Sequence, residues 1–89
     1  QAADWGLIWS AVPDADFAAA VTTLAQQLAA MPTKALVRTR QAMLAAHTHS
    51  LEQQLSTEAG FMRELGRSAD YVEGVSAFLE KRAPRFTGE

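Results

Sequence analysis

The sequence contains no cysteine. That absence excludes a disulfide framework and any thiolate metal site, and it removes the usual pointer to an oxidising compartment, so a cytoplasmic setting is expected. Chain breakers are scarce too, with 3 prolines and 5 glycines in 89 residues of which 48% are hydrophobic. A composition heavy in Ala and Leu with few breakers favours helix over strand and argues against a disordered chain. Charge of one sign is missing: 8 Lys and Arg stand against 10 Asp and Glu. A slightly acidic balance leaves no electrostatic footprint for nucleic acid. No apolar run approaches the roughly 20 residues needed to span a bilayer, and the first residues lack the basic and apolar regions of a signal peptide. Neither a nucleic-acid nor a membrane partner is expected.

What is present suffices for one modest domain. Ala2-Ala3-Asp4-Trp5-Gly6 reads as the tail of a helix running into a glycine stop, in a chain that opens on Gln1. Leu7-Ile8-Trp9-Ser10-Ala11-Val12, closed by Pro13, is the one strand-like run. A lone strand cannot satisfy its backbone donors and acceptors, so its partner is expected upstream and the chain is read as a piece of something longer.

Four amphipathic segments follow. Asp14 is expected to cap a helix with Phe17, Val21, Leu24, Leu28 and Met31 on one face, ended by Pro32. Thr33 is expected to cap a second, with Leu36, Val37, Met43, Leu44 and His47 on one side and Arg40 in the middle of that side. Arg40 there must snorkel to the rim or meet a carboxylate. Ser50 and Gln53 form a capping-box signature for a third helix, whose buried stripe is read as Leu51, Leu55, Ala59, Met62 and Leu65 before Gly66. Ser68 caps a fourth, with Asp70 in its first turn, Tyr71, Val72, Val75, Phe78 and Leu79 facing inward, and Lys81 and Arg82 in its last turn. Pro84 closes it and Arg85 to Glu89 read as a short tail. The fold class is therefore all-α, three to four amphipathic helices behind a short extended N-terminal segment.

Few residues invite chemistry. His47 and His49, two apart, cannot aim both imidazoles at one metal from a helix, and no third ligand is near, so no metal site is expected. Glu52, Glu58, Glu64 and Glu73 read as solvated faces, as do Lys34 and Arg38 at i and i+4. No nucleophile elbow or phosphate loop is present. Phe61 lies off the stripe of the third helix and suits either a subunit contact or a scattered surface aromatic.

The segment Ser68 to Gly88 brings a resemblance. Its Asp70, Glu73-Gly74, Ala77-Phe78, Lys81-Arg82, Pro84 and Phe86 resemble the closing segment of the crotonase superfamily of enoyl-CoA hydratases and isomerases, and Trp5-Gly6-Leu7-Ile8 with Val12-Pro13-Asp14 resembles the junction ahead of that family's C-terminal helices. The wording Gly66 to Tyr71 and Phe86-Thr87-Gly88 is most similar to the branch that isomerises epoxyphenylacetyl-CoA. The resemblance implies that residues 1–13 are the junction from a spiral domain and 14–89 a C-terminal helical, trimerising domain. It implies a parent enzyme, trimer or hexamer, acting on acyl-CoA thioesters in fatty acid or phenylacetyl-CoA catabolism. The oxyanion hole and acid–base groups would lie in the spiral domain, leaving no catalytic residue and no bound cofactor here. Phe78 and Lys81 match the family's A-F-x-x-K motif, which implies contact with the CoA nucleotide across a subunit interface, and Arg40 stands where the family usually has Lys. On spacing alone Phe78 belongs to the stripe with Val75 and Leu79, and Lys81 is a cation at a helix C-terminus. A non-catalytic helical interaction domain sharing this ending is the competing reading.

Overall fold

The computed structural model describes residues 1–89 and contains four helices and no strand: α1 (Asp14–Ala29), α2 (Thr33–Ala45), α3 (Leu51–Leu65) and α4 (Ala69–Glu80). The all-α expectation holds, and the local signals that start α3 and α4 act as read. Ser50 Oγ accepts from the Gln53 amide at 3.3 Å while Gln53 Oε1 accepts from the Ser50 amide at 2.9 Å, a reciprocal capping box. Ser68 Oγ accepts from the Tyr71 amide at 3.1 Å.

The first two helices start differently from expectation. Pro13 and Pro32 occupy the capping positions, and Asp14 and Thr33 are the first helical residues, with no side-chain cap at either end. The proline carbonyls already accept the first bonds, from Asp16 and Leu36. Asp14 and Asp16 still lie in the first turn of α1, where the helix dipole favours carboxylates.

At the N-terminus, Gly6 takes φ 72°, and the Leu7 and Gly6 amides donate to the Ala2 and Ala3 carbonyls at 3.0 Å. This pair of bonds is the Schellman ending that glycine at φ > 0 permits. Residues Leu7 to Val12, read as a strand, form none. No backbone hydrogen bond within the chain involves residues 8–12. A strand exists only as a member of a ladder, and this chain supplies no partner.

Only α2 and α3 pack substantially on each other. Arg38 of α2 reaches Glu64 of α3 at 2.8 Å, Lys34 reaches the same carboxylate at 3.4 Å, and the Arg38 guanidinium lies 5.1 Å from the centre of the Phe61 ring. Gln54 Nε2 adds a bond to the Ala42 carbonyl at 3.1 Å. The solvated-face reading of Lys34, Arg38 and Glu64 is thus corrected: opposite charges on adjacent helices close the gap. Phe61, off the expected stripe, is the residue that faces α2, whereas Leu51, Leu55 and Met62 of that stripe are exposed. The inward face assigned to α4 is corrected likewise, since Tyr71, Val72, Val75, Phe78 and Leu79 are all exposed. In α1, α2 and the link between them, Phe17, Val21, Leu28, Met31, Leu36, Val37, Met43 and Leu44 are exposed as well.

The whole-molecule dimensions follow. The radius of gyration is 16.7 Å, where a compact chain of this length would have about 12 Å. The accessible surface of 7393 Å² exceeds by roughly 2,300 Å² that of a compact monomer of the same mass. The stripes are amphipathic faces that the four helices leave uncovered.

Candidate functional site

The C-terminal end of α4 combines an exposed aromatic, an untied cation and a rigid surround. Helix α4 ends at Glu80, and Lys81 follows in the left-handed conformation at φ 55°, ψ 40°. The Arg82 amide donates to the Ala77 carbonyl at 3.0 Å and the Lys81 amide to the Phe78 carbonyl at 3.3 Å. The pattern is again the Schellman ending, here built without glycine. Lys81 and Arg82 therefore lie just past the last turn of α4, because the chain reverses there instead of continuing as helix.

Arg82 turns back along α4. Its guanidinium donates to Glu73 Oε1 and Oε2 at 2.6 and 2.9 Å and to Glu80 Oε2 at 2.6 Å. Glu73 Oε1 also accepts the Arg85 amide at 2.7 Å. The Arg82 fork, with the Arg85 amide second, holds the Glu73 carboxyl down at about 2, and Glu73, with Glu80 second, drives the Arg82 guanidinium further up. A carboxylate held so low stays ionised near neutrality and cannot serve as a general acid there.

The remaining tail is docked by Asp70. Its Oδ1 accepts from the Thr87 amide at 2.7 Å and its Oδ2 from the Gly88 amide at 2.9 Å, while the Asp70 amide donates to the Glu89 carbonyl at 2.9 Å. Asp70 is one of three buried residues, with Ser68 and Ala77. The Phe86 ring lies over Gly74, so close that a Cβ there would sit 3.6 Å from it. The expected short tail is thus a strap fixed to the first half of α4, since its free amides meet carboxylates there. Spacing could have found it: Asp70 and Glu73, at i and i+3, share a face opposite a segment that Pro84 diverts from helix.

Between the start of α2, α4 and the strap runs a groove of about 490 Å³, with Tyr71, Gly74, Val75, Phe78 and Phe86 in its wall. Phe78 is 82% exposed. Lys81 is exposed and forms no ion pair within the chain. The two matched residues thus stand three positions apart at one end of one helix, and both are accessible. Arg40 and His47 are exposed on α2 and in the turn after it, and His49 is half-buried just before Ser50. No nucleophile stands beside a base at the α4 corner, so the chemistry open to it is binding: a flat apolar group on Phe78 and an anion at Lys81.

Known proteins share this arrangement of helices. The family model for enoyl-CoA hydratase/isomerase matches residues 1–89. The chain is 49% identical over 89 residues to the 1,2-epoxyphenylacetyl-CoA isomerase of Escherichia coli, covering 100% of this chain and 34% of that protein. It is 49% identical over 88 residues to the "Probable enoyl-CoA hydratase" of Rhodobacter capsulatus, covering 99% of this chain and 34% of that one. Among solved structures, an enoyl-CoA hydratase of Geobacillus kaustophilus superposes with a TM-score of 0.87 at 32% identity, over 99% of this chain and 33% of that one. The chain spans about a third of the length of the relatives it matches. With the match running over every residue and the helices superposing as a set, the chain belongs to the enoyl-CoA hydratase/isomerase family.

Proposed function

We propose that residues 14–89 are the C-terminal helical domain of an enzyme acting on acyl-CoA thioesters, with residues 1–13 the junction from its catalytic domain, and that Phe78 and Lys81 hold the CoA nucleotide. The observation that carries the reading is the corner of α4, where a large aromatic stays 82% exposed three residues before a cation with no ion-pair partner in the chain. A nucleotide fits both halves: the adenine ring meets the Phe78 face and a phosphate meets the Lys81 ammonium. Adjacent subunits complete the site, and the uncovered faces of α1 to α4 serve the trimer or hexamer. Proton transfer and oxyanion stabilisation belong to the part of the enzyme outside these residues. The relatives at 49% identity are named for isomerisation and for hydration, so the full-length protein is assayed on both an epoxyphenylacetyl-CoA and an enoyl-CoA substrate.

The test is Lys81→Ala in the full-length protein, with CoA affinity read by calorimetry. Loss of a charge-assisted contact weakens binding by about 1–3 kcal/mol, and the loss shrinks as salt rises, while the fold is kept. An unchanged affinity returns Lys81 to a helix-terminus cation. An upstream sequence unrelated to a CoA-binding catalytic domain would favour the helical interaction module.

A further inference from the structure

Lys81 is the one non-glycine residue in the chain at positive φ. An L-residue with a long side chain enters the left-handed region against a steric penalty between its Cβ and the backbone, and it stays there only where its surroundings over-determine it. The surroundings at residue 81 are specific. On the far side of the corner, the Arg82 guanidinium is gripped by both oxygens of Glu73 and by Glu80, and three residues later the Arg85 amide returns to the same Glu73 oxygen. Pro84 lies between these two anchors.

We infer that Glu73 is a positioning residue for Lys81: by fixing Arg82 and Arg85 against α4, it sets the reversed corner on which the Lys81 ammonium is presented. Glu73 sits two turns before Lys81 and binds the residues after it, so it acts on Lys81 through the backbone and not by contact. Carboxylate and guanidinium saturate each other, and Lys81, between two tied segments, keeps its ammonium unpaired, as Arg85 does its guanidinium, being held through its backbone amide. Without Glu73, Arg82 keeps on α4 only Glu80 and its backbone bond to Ala77, and the Arg85 amide loses its acceptor there. Residue 81 then relaxes towards right-handed or extended backbone, which re-aims its side chain. The inference rests on the reading of Lys81 as a CoA contact.

The experiment uses the full-length protein. Glu73→Ala removes the Arg85 acceptor and the two-oxygen grip on Arg82, leaving Arg82 its bond to Glu80, and keeps helix propensity high; Glu73→Gln keeps an acceptor for the Arg85 amide and part of the Arg82 grip. Crystal structures of both variants read φ at residue 81, and calorimetry with CoA reads affinity with Lys81 present and again in the Lys81→Ala background. Glu73→Ala should move φ of residue 81 to negative values and weaken CoA binding roughly five- to twenty-fold, Glu73→Gln should recover part of it, and neither should change affinity further in the Lys81→Ala background. Two results overturn the inference: residue 81 still at positive φ in Glu73→Ala, or an equal loss of affinity in the Lys81→Ala background, which would make Glu73 merely structural. An unchanged affinity in Lys81→Ala alone overturns the CoA reading itself. That failure is told apart from failure of the clamp, because φ of residue 81 then still moves in Glu73→Ala.

Discussion

At the scale of single residues, two carboxylates on α4 do different work. Glu73 is ionised by its partners, Arg82 first and the Arg85 amide second, which hold it at about 2 instead of the ordinary 4.5. A depressed carboxyl stabilises the folded state fully above its unfolded value and loses that contribution as pH falls through its folded value. Stability of the strap should therefore decline between pH 4.5 and about 2. Glu73→Gln should flatten that part of the profile, with denaturant titrations at several pH values as the measure. The pair is partly solvated, so added salt should weaken the effect. Asp70 is buried and serves two backbone amides, those of Thr87 and Gly88. Asp70→Asn keeps the shape but loses the charge, and it can turn an NH2 towards an amide donor. It should cost about 1.5–3 kcal/mol and release the strap, read as faster amide exchange at Thr87 and Gly88. An Asn variant with those amides still protected would mean that the strap is held by Phe86 packing instead.

At the scale of elements, the helices are legible in the sequence and their surroundings are not. Ser50, Gln53, Ser68, Gly6 and the prolines punctuate the chain by rules that act within a few residues, and those rules need no tertiary information. The caps of α1 and α2 fall one position before Asp14 and Thr33 because a proline precedes each and takes the capping place. The closing motif contains Glu73 and Arg82 as well as Phe78 and Lys81, but nothing local marks that Glu73 pairs with Arg82, since the two are nine apart and meet only when the chain reverses at Lys81. The facing of α3 escapes the sequence for another reason. Periodicity reports an apolar face, and α3 turns Phe61 and Glu64 to α2 while Leu51 and Leu55 are left exposed. Helix α4 carries one further mismatch, Gly74 in its interior. A Cβ there would stand 3.6 Å from the Phe86 ring, an ordinary contact, so Gly74→Ala should stabilise α4 by up to about 1 kcal/mol, measured by thermal melting. A drop in melting temperature would show that the Phe86 ring needs the glycine surface more closely than this spacing implies.

The whole molecule is dominated by surface that it does not cover. Trp5, Leu7 and Trp9 are 68%, 72% and 80% exposed, and the apolar faces of all four helices are open besides. The excess over a compact monomer, roughly 2,300 Å², is larger than the roughly 1,200–2,000 Å² that specific interfaces usually bury. Four helices with a single substantial contact between them cannot close a core by themselves, and the amides of residues 8–12 have no acceptor in the chain. Two outcomes lower the free energy of such a chain in water: copies associate through the apolar faces, or the unpaired segment stays fluctuating and solvated. The 89-residue chain should accordingly sediment as a concentration-dependent species over a wide dilution series, with amides of Leu7 to Val12 exchanging quickly at the dilute end. Association should protect those amides if copies pair through that segment, and leave them fast if they pair through α3 and α4. A monomer at every concentration with Leu7 to Val12 protected would require the helices to fold inward over the tryptophans, an arrangement with a radius of gyration near about 12 Å instead of 16.7 Å, which small-angle scattering would register directly.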